Sequence, residues 1–466
     1  MRLTVTASEH RKVTDLFLLY ASAACFFLGF MLLCAGARWD WIPGHITPLY
    51  ALLRPHPLTL RHLIPLALCL VYLGALSKIG RIETSTLLTL VFFVVTSLLL
   101  SLAVASMNTG FAEVGAPFER YGLDYYGDVP LVRSPGQFIR DFAELRPHLS
   151  MHGKTHPPGP IILLWVFWRL SAGEPLQVAV WVVALASLTV VPLYLFARDL
   201  AGREAATAAA ALYVVTPTII LYNATSMNAV YALFAVTTMF LFFRAMDRRT
   251  AVYAPLAGLA FALTVFMSYD MAILGIFFAV IFLFSVFDSS CRRKSVIAAA
   301  LMLATFVAFY GVLYLATGFN AVSSLMAAIG QVHKDLLYME LHTPRASYWI
   351  WRFGNPFEVF FFAGIPVAVL FFAEWVTRLR TRGSRSRADS YLIAALVMLV
   401  VFNFAYLGKS ENARVSSFYF PFIIVPASLY LLRVIRETNS RTALYATVML
   451  LFAQTWLMET LLDMYW

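Results

Sequence analysis

Long apolar runs separated by short polar turns dominate this chain. Runs near 15–37, 61–78, 85–106, 176–197, 205–222, 228–246, 251–268, 271–287, 294–316, 357–378, 390–408, 415–434 and 441–462 approach or exceed the roughly 18–20 residues that cross a hydrocarbon core. The pattern predicts an all-α membrane protein, a polytopic helical bundle of about thirteen transmembrane helices. One further run, IILLWVFWRL after Pro160, is short for a span. It reads as an interfacial or re-entrant helix, because a crossing there would put Arg198 and Arg203 on the wrong side. A second non-spanning helix is expected over AVSSLMAAIGQVHKDLLYMEL. There Val322, Leu325, Met326, Ile329, Val332, Leu336 and Leu337 fall near helical spacing, the mark of an amphipathic helix on a membrane surface.

The polar breaks are unequal. Short turns carry Arg198/Arg203, Arg244/Arg248/Arg249, Arg292/Arg293/Lys294, Arg378 to Arg387 and Arg433/Arg436/Arg441. The long connections on the other side are sparse in Lys and Arg. This asymmetry puts the basic turns and the N-terminus, with Arg2, Arg11 and Lys12, in the cytoplasm and the C-terminus outside. Trp39 and Trp41 in the first outer connection suit an interfacial anchor. The first span is longer than a signal-peptide core and lacks a small-residue cleavage site, so it is read as retained. The chain divides into N-terminal spans (1–106), an outer loop with a juxtamembrane helix (107–175), a central bundle (176–316), an outer loop with the amphipathic helix (317–356) and C-terminal spans (357–466).

Composition agrees. Hydrophobic residues make up 61% and charged residues 13%, more apolar surface than a soluble chain of this length hides. The net charge of +10 comes mainly from the basic turns and does not point to nucleic acid. Cys25, Cys34, Cys69 and Cys291 show no pairing or metal spacing, and no structural disulfide is expected.

Titratable chemistry concentrates in one outer stretch, FERYGLDYYGDVPLVRSPGQFIRDFAELRPHLSMHGKTHPPGP, from Phe118 to Pro160. Asp124 and Asp128 stand four apart, with Glu113 and Glu119 just upstream. A carboxylate there has the chemistry of a general base for an acceptor hydroxyl, or of an oxygen ligand for a divalent cation. His148, His152 and His156 recur at i, i+4, i+8, a metal-binding pattern on a continuous helix. Gly153, Pro157 and Pro158 argue against that helix. Lys154 and His156 sit where they can meet an anionic group at the HPPGP turn. Lys409, Glu411 and Arg414 occupy GKSENAR between two spans. Two cations there suit a lipid-linked phosphate, and Glu411 is placed to orient Arg414. Asp270 in MSYDM lies in a long apolar region, where a carboxylate is costly unless solvated or paired.

YYGDVP, then HGKTHPPGP leading into a short apolar helix, resembles the GT-C-type membrane glycosyltransferases, among them the protein O-mannosyltransferase and aminoarabinose transferase group. REAATAAAALYVVTPTIILY, MSYDMAILG (with Tyr269 and Asp270) and KSENARVSSFYFPF are further echoes. The family's acidic loop follows the first span, whereas here it follows the third. The resemblance implies a GT-C-like fold and a polyprenyl-phosphate sugar donor in the bilayer. It implies a glycan, lipid or protein acceptor and an inverting displacement on the outer face, with a bacterial inner membrane as the location. It assigns Asp124, Asp128, Glu113 or Glu119 as base, and Lys154, His156, Lys409, Glu411, Arg414, Tyr269 and Asp270 as substrate-binding residues. No cofactor is required by it, and a divalent metal cation, with His148 and His152 as candidate ligands, stays open. The competing reading is a non-enzymatic transporter or lipid flippase. Against it, charges are few within the spans and no inverted repeat is evident.

Overall fold

The computed structural model describes residues 7–36, 49, 51–79, 85–120, 124–224, 226–247, 250–288, 291–342, 348–381, 386–405 and 411–464. The anchor residues Trp39 and Trp41, and Arg81, Arg248, Arg249, Arg382, Arg385 and Lys409, lie outside the described residues. Among the described residues, 11 helices are long and apolar enough to cross a membrane, or up to 13 if each of two bent pairs is one span. The protein is an integral, multi-pass, all-α membrane protein, as the hydropathy pattern predicts.

The two bent pairs are where local chemistry breaks a run. Arg203–Val215 and Pro217–Asn223 meet at 53°, because Pro217 offers no N–H to the preceding turn and Thr216 is extended. The run read as one span over 357–378 is instead turned by 109° between Trp351–Ala363 and Ile365–Arg380. The hinge is Gly364, whose φ of +91° is one that only glycine adopts freely. Gly159–Leu170 is a separate helix of 12 residues, too short to span. Ala321–His342 forms the expected amphipathic helix, with Ser324 and Ala328 buried and Val322, Met326 and Ile329 exposed.

Small residues let helices approach closely at the centre. Ala205, Ala206 and Ala208 to Ala211 are all buried, as expected where close backbone packing replaces the hydrophobic drive. Thr250–Met267 packs between Asn228–Asp247 and Arg292–Thr317. A Cβ at Gly258 would lie 2.3 Å from the Met302 carbonyl oxygen.

The basic turns gather at one end. Arg244 binds Asp199 at 2.6 Å, Arg436 binds Glu204 at 3.1 Å, Arg433 binds the buried Glu374 at 3.1 Å, and Arg387 pairs with Asp247. Turns grouped on one face by their arginines therefore touch one another. At the opposite end the chain adds a feature that hydropathy did not predict: a two-residue antiparallel pairing of Leu52–Leu53 with Leu462–Asp463. It ties the connection after the first span to the end of the last span.

Replacing Gly258 by Val is expected to push Thr250–Met267 off Arg292–Thr317 and cost about 1–3 kcal/mol. Thermal unfolding in detergent should show a lowered midpoint, and an unchanged midpoint would show that the contact is slack.

Candidate active site

The polar stretch folds as a chain of short turns after the Thr86–Ala105 span. Pro135 and Pro147 begin short helices, Pro130 lies within a 3-10 turn and Pro157 follows the end of Met151–Thr155, and Tyr125, Val129, Phe138 and Phe142 are buried against the bundle. Side chains cap the pieces. Asp124 caps the 3-10 turn Tyr125–Leu131, and Ser150 caps the helix Met151–Thr155.

Asp128 closes this loop on itself. Its Oδ1 accepts from the Ser150 N–H at 2.7 Å, and its Oδ2 accepts from the Ser150 hydroxyl at 2.6 Å. The same hydroxyl accepts from the Gly153 N–H at 3.0 Å. A Cβ at Gly153 would sit 2.4 Å from Asp128 Oδ2, so the clamp needs a glycine there. Burial raises the Asp128 carboxyl above its ordinary range, offset by the Ser150 bonds and by nearby Lys154.

Asp124 is held differently. Its Oδ1 accepts from the Tyr125 N–H at 2.8 Å, and no described residue engages Oδ2. Burial raises its carboxyl, with the Tyr125 N–H and the Arg414 guanidinium working in the other direction. The two aspartates, alike in sequence, are thus unlike in structure: one is tied at both oxygens, the other at one. Glu113 and Glu119 lie on exposed faces of the upstream turns.

Tyr125 stands at the middle. Its ring lies 5.7 Å from that of His152 and 5.5 Å from that of His156, and its hydroxyl accepts from the Tyr231 hydroxyl at 3.1 Å. His156 Nδ1 lies 3.1 Å from the His152 carbonyl oxygen. The same Nδ1 lies 3.1 Å from the Thr155 hydroxyl, so it donates to the carbonyl in one tautomer and accepts from the hydroxyl in the other. Burial holds His156 below its ordinary range, and the carboxylate of Asp270 partly offsets this. Burial and Arg414 hold His152 well below. Both imidazoles are therefore neutral near neutral pH. His148 ends the preceding 3-10 turn, and extended Leu149 and the capping residue Ser150 separate it from the Met151–Thr155 helix. The three histidines do not share one helix. Among the described residues no three His, Cys, Asp or Glu side chains gather as metal ligands.

The second half of the site arrives from the other end of the sequence. Glu411 adopts φ of +61°, and its carboxylate accepts from Arg414 at 3.1 Å. The left-handed backbone costs a non-glycine residue about 1–2 kcal/mol, so the surrounding bonds must impose it. They are present: the Asn412 N–H donates to Glu358 at 2.9 Å, Thr218 donates to the Ala413 carbonyl at 2.6 Å, and Ser417 donates to the Asn228 carbonyl at 2.6 Å. Arg414 is only 3% exposed. Its charge acts on Asp124, Tyr125, His152 and His156. The 118–160 loop and the 411–417 turn therefore converge.

Asp270 faces His156 from the start of its span. Its side chain is exposed. Tyr269 turns away. Its hydroxyl donates to Ser324 at 2.6 Å, and Arg146 donates to the Ser324 carbonyl at 2.7 Å. This joint fastens the amphipathic helix to the loop. Tyr125, Tyr231, Arg146 and Glu358 escaped the sequence reading. Glu358 carried a signal, as a lone acid in the apolar run FEVFFFAGIPVAVL. Tyr231 carried none, being one of many aromatics in apolar runs.

Residues 155–315 match the family described as dolichyl-phosphate-mannose-protein mannosyltransferase. No curated protein matches the chain. Among solved structures, the archaeal oligosaccharyltransferase AglB from Archaeoglobus fulgidus, in complex with an inhibitory peptide and a dolichol-phosphate, is similar at a TM-score of 0.50 and 14% identity, over 79% of this chain and 55% of that one. A further A. fulgidus oligosaccharyltransferase structure, with Zn and sulfate, gives 0.47 and 17% over 73% of this chain and 49% of that one. ArnT from Cupriavidus metallidurans bound to undecaprenyl phosphate gives 0.45 and 15% over 69% and 59%. The chain thus spans about half of the A. fulgidus chains and about three fifths of ArnT. Its fold is similar to that of the A. fulgidus oligosaccharyltransferase, and the mannosyltransferase family is matched across the HPPGP turn and the central spans.

Proposed function

We propose that this protein is a GT-C glycosyltransferase that moves a sugar from a polyprenyl-phosphate donor to an acceptor hydroxyl, on the membrane face opposite the basic turns. The observation that carries this reading is the meeting of Asp124, tied at one oxygen only, with Arg414 from a turn far along the chain. An acid and a cation so placed can serve the two ends of a displacement. Asp124 takes the proton of the acceptor hydroxyl. The acceptor oxygen attacks the anomeric carbon, the carbon–oxygen bond to phosphate breaks, and its electron pair goes to the phosphate. Arg414 stabilises the charge that appears there. A single displacement inverts the anomeric carbon.

Lys409, Glu411, Lys154 and Asp270 complete the proposed binding set, with Glu411 holding Arg414 in place. Asp128 is assigned to the loop clamp, because Ser150 occupies both of its oxygens. The described residues offer no ligand set for a divalent metal, and no step is routed through one. The dolichol-phosphate in the AglB complex supports a lipid-phosphate donor. The acceptor is a glycan, lipid or protein hydroxyl. In this reading the basic turns are cytoplasmic and the site lies on the outer face, and the membrane is a bacterial inner membrane.

Asp124→Asn should lower transfer from polyprenyl-phosphate sugars in proteoliposomes by roughly 10²–10⁴-fold, the worth of a general base. Asp128→Asn keeps an acceptor for the Ser150 N–H and should cost no more than about tenfold. Equal losses in two folded variants would contradict the division of roles.

The acid limb of the pH–rate profile should lie above the ordinary Asp value of 3.8, because burial raises Asp124 and a protonated base cannot accept a proton. Arg414 acts to lower that pKa, so Arg414→Gln should move the limb to higher pH besides slowing the reaction. A limb that stays in place would separate Arg414 from the base.

A further inference from the structure

One buried donor at the centre of the site has no stated recipient. A phenol has one proton to give and two lone pairs to offer. At Tyr125 one lone pair accepts from the Tyr231 hydroxyl at 3.1 Å. The oxygen of Tyr125 is thereby fixed, and its own proton must point elsewhere. No described residue accepts it. The Asp124 carboxylate is anchored through the Tyr125 backbone N–H, not through the hydroxyl. Both tyrosines are buried, Tyr125 at 3% and Tyr231 at 1% exposure, and a buried donor without a partner is costly. The phenol also keeps its proton: burial pushes its pKa well above the ordinary value.

The surroundings define what that proton fits. The two imidazoles flank the ring, and the Arg414 charge acts on the phenol. A buried donor beside a guanidinium suits a group that is negative and rich in acceptors. We propose that the Tyr125 hydroxyl, set by Tyr231, is a substrate-contacting hydrogen-bond donor to a phosphate oxyanion. The proposal rests on the lipid-phosphate reading above and deepens it. Tyr231 is a positioning residue: it touches no substrate and acts by turning the Tyr125 proton into the site. The shared chemistry is a phosphate oxyanion, supplied by a lipid headgroup or by free phosphate.

The test uses the full chain in lipid nanodiscs, as wild type, Tyr125→Phe and Tyr231→Phe. Each is titrated with a polyprenyl monophosphate, the matching polyprenol and inorganic phosphate, with melting midpoints as the control for folding. Wild type should bind the lipid phosphate more tightly than the polyprenol. Tyr125→Phe should weaken lipid-phosphate binding by roughly ten- to a hundredfold, the range of a hydrogen bond to a charged group. Tyr231→Phe should weaken it less, and polyprenol binding should stay the same in all three. Unchanged lipid-phosphate affinity in Tyr125→Phe overturns the proposal while wild-type binding keeps the donor reading. If Tyr125→Phe does not fold, unchanged affinity in Tyr231→Phe overturns it. Wild type that fails to bind the lipid phosphate overturns the donor reading and the proposal with it. Inorganic phosphate bound as tightly as the lipid, and lost equally in Tyr125→Phe, overturns the lipid headgroup as the source.

Discussion

Two hydrogen bonds from Ser150 to Asp128 decide where the rest of the site lies. They join residues 22 apart in a loop that has no long helix of its own. Both carboxylate oxygens are used, and charge-assisted bonds of this kind are about twice as strong as neutral ones. The clamp brings the Tyr125–Leu131 turn against the Met151–Thr155 helix. Tyr125 then falls between His152 and His156, and Asp124 is left at the edge with one oxygen unengaged by any described residue. Without the clamp the loop would keep its buried anchors and its joint to Ser324, but not the register of the Tyr125–Leu131 turn against the Met151–Thr155 helix.

The membrane gives the arrangement its stakes. Polar groups removed from water must find partners, and the cost of failing is several kcal/mol each. The molecule meets this at its two ends in different ways. At the end with the basic turns, arginines pair with carboxylates, and the pairs stitch neighbouring turns together. The exposed ones, such as Arg436 with Glu204, are worth about 0–1 kcal/mol. The buried Glu374, by contrast, depends on Arg378 and Arg433 for its charge to be tolerable. At the other end the charges are not neatly matched in pairs. Arg414 has Glu411 at 3.1 Å, yet its field reaches Asp124, two histidines and Tyr125. Unequal sharing of one cation among several groups is what a site that accepts a charged ligand requires, and it is what a purely structural ion pair avoids.

Broken helices carry the convergence. The Pro217–Asn223 segment bends away from its partner, and from it Thr218 reaches the Ala413 carbonyl. The Trp351–Ala363 segment turns by 109° and presents Glu358 to the Asn412 N–H. Together they impose the left-handed backbone at Glu411 that aims Arg414 inward. Hydropathy sees these segments as spans. It cannot see that their breaks hold a turn from elsewhere.

The pattern of apolar runs by itself determined the class of protein, the short helix after HPPGP and the amphipathic helix over Ala321–His342. Those are local properties, fixed by run length and by residues such as Pro157 and Pro158 that no helix interior tolerates. The grouping of basic turns was also legible, because charge near a membrane is read turn by turn. The choice between Asp124 and Asp128 was not. Both are loop acids four residues apart, and what separates them is Ser150, 22 positions beyond Asp128. Nor did the sequence reveal Tyr231 as the partner of Tyr125, or Glu358 as the brace of the Arg414 turn. Those roles depend on contacts between segments separated by 54 to 106 residues. Only folding brings such segments within hydrogen-bond reach, so only the tertiary structure could distinguish the acid tied at both oxygens from the acid tied at one.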